Sequence, residues 1–164
     1  MYQYSFNNVH LVVELDGVPL PIVNVPDQAQ IFTIGRRAAT KHDVMGARGE
    51  MNVATTVNLS GVLSFPTMQT APENIVLSDF QIEQETAGFA NIAGSKVINA
   101  YLSDLSSLVT IGNCQGGYFP GPPALVRGNT INFLMWSINF GKIDLRHGGN
   151  IPTAGTNLTN YLVG

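Results

Sequence analysis

Few residues of this chain are equipped for chemistry, and they are scattered. The three histidines, His10, His42 and His147, fall in an alternating apolar run, a polar loop and a glycine turn. A shared metal centre needs ligands at regular short spacing or gathered by the fold, and the spacing offers neither. One cysteine, Cys114, excludes an internal disulfide and a thiolate metal cluster. Glu83 with Glu85, and Glu73 with Asp79, lie where a helix is expected. They read as solvated helix carboxylates rather than a facing acid–base pair. No Gly-rich phosphate loop precedes a helix, and there is neither a Gly-x-Ser-x-Gly elbow nor a His-Glu-x-x-His helix. Nothing here speaks for an enzyme, and no catalytic, cofactor or metal residues are assigned.

What does cluster is charge. Arg36, Arg37, Lys41 and Arg48 sit in one short stretch with His42, Asp43 and Glu50; it carries a Gly-x-x-Gly pair at Gly46 and Gly49, and Thr40–Gly49 reads as its tip. The plain reading is a solvated loop. The functional reading is the tip of a long hairpin that meets another molecule. Tyr118 and Phe119 lie in the Gly/Pro-rich stretch 113–129, where they either dock on a partner or fold back on the chain's own core.

The elements that position these residues are mostly strands. Val9, Leu11, Val13 and Leu15 share one parity, so the run is a half-buried strand. Asp16-Gly17 is a tight hairpin turn. Val18 to Val25 returns, but Pro19, Pro21 and Pro26 remove donors, so it is expected as an edge strand or a broken one. Gln30 to Arg37 is a further strand. Val53 to Phe65 alternates throughout and reads as one strand of about 43 Å at roughly 3.3 Å per residue. Thr70-Ala71-Pro72-Glu73 predicts a capped helix start, with Gly88 ending a helix of about three turns. Ser95 to Val109 reads as a short helix running into a strand at 107–113. No regular element is expected in 113–129. Thr130 to Phe140 is the second strong strand, and after Gly141 the apolar parity flips, as at a β-bulge.

Composition frames these elements. At 164 residues one domain, 1–164, is expected. Charged residues make up 12%, against about 25% in an average soluble domain. So poorly solvated a surface points to cover by other subunits. Net charge is −3 with no basic stripe, which argues against strong phosphate-neutralising nucleic-acid binding. No apolar stretch approaches the roughly 20 residues of a membrane helix. Met1 to Phe6 does not read as a signal peptide, so a cytoplasmic origin is expected.

Four segments, in order, carry a resemblance. Tyr4-Ser5-Phe6-Asn7-Asn8-Val9 leads into the first strand. Asp43-Val44-Met45-Gly46-Ala47-Arg48-Gly49 forms the loop. Ser60-Gly61-Val62-Leu63-Ser64-Phe65 precedes Gln69-Thr70-Ala71-Pro72-Glu73-Asn74, and Val126-Arg127-Gly128-Asn129-Thr130 leads to the last hairpin. Together they resemble the tail tube (inner tube) proteins of contractile-tailed bacteriophages. Arg48 and Asn129 stand where that family usually has an acid, and residues 81–125 and the closing tail match no part of it.

The resemblance implies a mainly β fold: an antiparallel β-sandwich or barrel with one flanking α-helix and an extended hairpin, assembling into ring-shaped hexamers. It implies a structural virion protein, whose rings stack into a conduit for double-stranded DNA ejection. The expected partners are the chain itself, a sheath protein, and a tape-measure protein followed by DNA in the lumen. DNA would pass without sequence-specific binding, and this chain would not insert in a membrane. The tube would belong to the virion and be assembled in the host cytoplasm. Hairpin contacts are expected from Arg36, Arg37, Lys41, Asp43, Arg48 and Glu50. Strand contacts between subunits are expected from Val53, Val57, Leu59, Leu134, Trp136 and Ile138. Alternatives are a tailocin or contractile secretion-system tube, a capsid decoration protein, or a carbohydrate-binding or hydrolytic β-sandwich using Tyr118, Phe119 and Trp136.

Overall fold

Antiparallel ladders between alternating segments build most of the molecule. The computed structural model describes residues 5–27, 31–90, 96–105 and 109–147. After a single turn at Phe6–Asn8 come β1 (Val9–Leu15), β2 (Val18–Ile22), β3 (Thr33–Arg36), β4 (Lys41–Met45), β5 (Met51–Thr55) and β6 (Gly61–Met68). Then follow α1 (Glu73–Ala90), β7 (Ile98–Asp104), β8 (Val109–Tyr118) and β9 (Phe133–Leu145). Seven strands form one sheet in the order β2-β1-β7-β8-β9-β6-β3, and β4 and β5 form a separate pair. Every paired neighbour is antiparallel.

Local chemistry explains the first hairpin. Asp16 (φ 52°) and Gly17 (φ 85°) are both left-handed, the geometry of a two-residue turn matched to strand twist. Leu15 then pairs with Val18, and Pro19 and Pro21 fall on the outer side of β2, where a missing N–H costs no ladder bond.

One parity of each main strand points inward. Leu11, Val13 and Leu15, then Leu63 and Phe65, then Ile98, Ala100 and Leu102, then Trp136, Ile138 and Phe140 join Leu77 and Phe80 of α1 in one core. A flat seven-strand sheet would be about 29 Å across at roughly 4.8 Å per strand, whereas one helix covers about 10 Å. The sheet therefore curls over its own core. Ile34 of β3 lies 2.7 Å from where a Cβ on Gly112 of β8 would stand, although two strands separate β3 from β8 in sheet order.

Buried hydrogen bonds fix α1 to the sheet. Asn74 Oδ1 accepts from Thr67 Oγ1 (2.5 Å) and Trp136 Nε1 (3.0 Å), and its Nδ2 donates to the Met68 carbonyl (2.7 Å). Glu73 accepts both of its 2.8 Å bonds from Asn24 Nδ2. Farther along, Gln84 accepts from the Phe119 N–H and donates to the Lys96 carbonyl.

Several sequence expectations are corrected. The run Val53–Phe65 is two strands, not one. The Asn58 side chain accepts from the Ser60 N–H (3.1 Å) and hydroxyl (2.6 Å), a local turn that breaks the run between β5 and β6. The helix does not stop at Gly88 but spans 18 residues to Ala90. Glu73 is not a solvated carboxylate but is buried, accepting from Asn24. The short helix expected within Ser95–Val109 is β7, because pairing with both β1 and β8 rewards the alternation of Ile98, Ala100 and Leu102. Regular structure also survives to Tyr118, since β8 absorbs Gly116 as a left-handed residue (φ 66°) at a register shift against β7. Opposite it, at Gly141, the inward parity of β9 passes from Phe140 to Ile143, as expected, while Leu145 stays exposed. The closing tail, 148–164, lies outside the described residues.

Candidate assembly surface

The segment between β3 and β6 is held at its base and bare beyond it. The Arg37 N–H donates to the Ser60 carbonyl (3.0 Å), and the Thr56 N–H donates to the Thr40 carbonyl (2.8 Å). From there Lys41–Met45 pairs with Met51–Thr55, from Lys41 opposite Thr55 to Met45 opposite Met51. Gly46 and Glu50 close the turn through a 2.7 Å bond, and Gly49 takes the left-handed conformation it needs (φ 84°).

All ten residues of β4 and β5 are exposed. Strand geometry puts Met45, Met51 and Val53 on one face with Lys41, Asp43 and Thr55, and Val44 and Ala54 on the other with His42 and Asn52. Four large apolar side chains thus stand in water on a two-stranded ribbon, each more than half exposed. Val57, at the base of the arm, is 91% exposed.

Of the charged residues expected at contacts, Arg37, Lys41, Asp43, Arg48 and Glu50 lie on this arm or its root and are exposed. Arg36 is engaged within the chain. Its Nε donates to the Ile143 carbonyl (2.9 Å) and its guanidinium lies 3.6 Å from Asp144, which Lys142 also approaches at 3.5 Å. These pairs are solvated, so each is worth at most about 1 kcal/mol. Their role is to set where the arm leaves the sheet.

The strand residues divide. Val53 and Val57 are exposed, and Leu59 and Leu134 are half-buried. Trp136 and Ile138 are 1% and 0% exposed, their side chains inside the chain's own core. β9 pairs with β6 from Phe133 to Phe140 but with β8 only from Asn139 to Leu145, so among the described residues its β8 side has no ladder partner along Trp136 and Ile138. Alternation located two faces of β9 but not which face the chain itself covers. The buried Asn74 group was also missed, because a single asparagine after a helix start looks like a solvated one.

Little else has reactive character. Burial, with the Asp144 charge nearby, pushes the Cys114 thiol up to about 12, so it is inert near neutral pH. The bond it donates to the Glu83 carboxylate raises the Lys96 ammonium above its usual range. Among the described residues no group of three or more His, Cys, Asp or Glu is placed to hold a metal ion.

No protein-family model matches the chain, and no curated protein matches it. Solved structures do. The chain is similar to the sheath/tube terminator of an extracellular contractile injection system in its extended state, with 10% identity and TM-score 0.50, over 90% of this chain and 99% of that one. It is also similar to the tube-terminating cap of the anti-feeding prophage, with 11% identity and TM-score 0.48, over 89% and 93% of the two chains. A chain of the sheath–tube complex of the extracellular system gives 9% identity and TM-score 0.47, over 83% and 87%. At such low identity the terminator match establishes a shared fold.

Proposed function

We propose that this chain is a structural, non-enzymatic subunit of a contractile tail, and that its copies close into hexameric rings that stack as the inner tube. The observation that carries this reading is the exposed β4–β5 arm. A monomer with 12% charged residues displays Val44, Met45, Met51 and Val53 on a ribbon that buries none of them. An isolated two-stranded ribbon is marginal in water, and exposed apolar side chains at its tip mark a surface awaiting a partner. The fold shared with a sheath/tube terminator supports the same setting.

In this reading the arm reaches the next ring, a sheath protein surrounds the tube, and a tape-measure protein and then double-stranded DNA occupy the bore. A net charge of −3 lets DNA slide without capture. A second reading, favoured by the terminator likeness, is a ring that ends a tube instead of extending it. Negative-stain microscopy and light scattering of concentrated protein, alone and with co-expressed sheath, test both. Hollow tubes support the tube subunit, and single closed rings support the terminator. A chain that stays monomeric throughout refutes both readings.

A further inference from the structure

In an antiparallel pair, only every second residue turns its N–H and C=O toward its partner. The Arg37–Ser60 bond places Thr33 and Gly35 in the β3–β6 ladder, so Ile34 and Arg36 turn their backbone groups to the open side of β3. The Gly46–Glu50 and Thr56–Thr40 bonds put even-numbered residues in the arm's ladder. Met51, Val53 and Thr55 therefore face outward from β5, and Lys41, Asp43 and Met45 from β4.

Four strands have one edge unpaired along its whole length among the described residues, β2, β3, β4 and β5; β9 is open toward β8 only over Phe133–Ile138, in the interior of the sheet order. They are not equivalent. On β2 the outward positions are Pro19 and Pro21, which have no N–H to offer. On β4 they carry Lys41 and Asp43, charges of the kind that discourage strand addition. β5 presents uncharged Met51, Val53 and Thr55. The Arg36 side chain on β3 is tied to Ile143 and Asp144.

We propose that β5 of one copy adds to the open edge of β3 of another, continuing the seven-strand sheet through the arm of a neighbour. The inference rests on the self-assembly proposed above and assigns its ladder. It gives the ribbon a third strand, which an isolated pair lacks. The contact joins two different patches, so each copy keeps one donor and one acceptor edge, and the arrangement propagates into a closed ring or a stack. The proline-blocked β2 edge takes no part.

Amide hydrogen exchange on dispersed and assembled protein tests the pairing. The N–H groups of Ile34, Arg36, Met51 and Val53 are expected to exchange at least about 100-fold more slowly in the assembly than in the monomer. Val53→Pro removes one outward donor without touching the β4–β5 ladder, as Pro19 does in β2. It should raise the concentration needed for assembly about tenfold or more while leaving thermal unfolding of the monomer unchanged. Pro19→Ala, on the β2 edge that takes no part, should assemble like the parent. Assembled protein with these amides still unprotected, or Val53→Pro assembling normally, overturns the pairing and leaves the tube reading standing. Amides already protected in the monomer also overturn it. Wild-type protein that never assembles removes the tube reading, and the pairing with it.

Discussion

Replacing Asn74 with alanine tests how α1 is held on the sheet. The side chain is 8% exposed and serves three partners: the Thr67 hydroxyl, the Trp136 indole N–H and the Met68 carbonyl. Trp136 and Thr67 are themselves fully buried, so neither finds water when the amide is gone. A buried donor left unpaired costs about 1–3 kcal/mol, and the tryptophan N–H cannot rotate to another acceptor as a hydroxyl can. The expected loss is about 2–4 kcal/mol, a large share of the roughly 5–15 kcal/mol that holds a domain together. Trp136 is the only tryptophan, so urea titration followed by its fluorescence reports on this contact and on global unfolding together.

Thr67→Val should cost about 1 kcal/mol, since Asn74 keeps its other two partners. The double variant should lose less than the sum of the two, because the sites share a bond. Asn74→Asp sharpens the test. It keeps the acceptor for Trp136 but sets a buried carboxylate against the Met68 carbonyl, so its protonated form is favoured in the folded state. The folded pKa then lies above the unfolded one. Stability is greatest below the unfolded value and falls as pH rises through the folded one, so this variant should be more stable at pH 4 than at pH 7, relative to the parent. An Asn74→Ala midpoint within about 0.5 kcal/mol of the parent would refute the reasoning.

The other predictions concern different parts of the fold. A Cβ on Gly61 would stand 2.3 Å from the Gly35 carbonyl oxygen, backbone that cannot swing away, so Gly61→Ala should lower stability by about 1–3 kcal/mol. Gly35→Ala meets nothing within 4 Å and should melt within a degree or two of the parent (about 0.5 kcal/mol) by calorimetry. The Cys114 thiol, ordinarily near 9.0 and raised to about 12 here, should resist maleimide at pH 8 until the protein unfolds. Its stabilising effect is complete below pH 9 and is lost as pH climbs toward 12, which thermal melts of Cys114→Ser against the parent will show as a converging difference above pH 9. Trypsin should cut the free chain first after Lys41 and Arg48 on the exposed arm, and assembled particles should be protected there, as mass spectrometry of timed digests will show.

Where one physical signal dominated, the fold was legible in the sequence. Alternation located β1, β6 and β9, Asp16-Gly17 fixed the first hairpin, and two prolines marked β2 as an edge. It failed where pairing outvoted local preference. Val97, Ala100, Tyr101 and Leu105 suit a helix as well as a strand, and two flanking strands decided for β7. Gly116 and Gly117 look like loop residues, yet one supplies a left-handed bulge and the other a close approach to Phe140. The break between β5 and β6 depends on one asparagine side chain, which carries no periodicity to read. For the candidate assembly surface, the charged arm was visible as a cluster. The inward facing of Trp136 and Ile138 was not, because a strand with two apolar faces does not declare which one its own chain covers.

The arm is rooted in two strands that leave the sheet at the same end, β3 at its last residue and β6 at its first. Tension drawn through the arm along those strands therefore acts lengthwise on both. β6 meets it with eight residue pairs against β9, loaded side by side rather than opened one after another. A chain pulled by its arm in this way resists as a lap joint does, and the tightly packed Gly61 sits where the load enters.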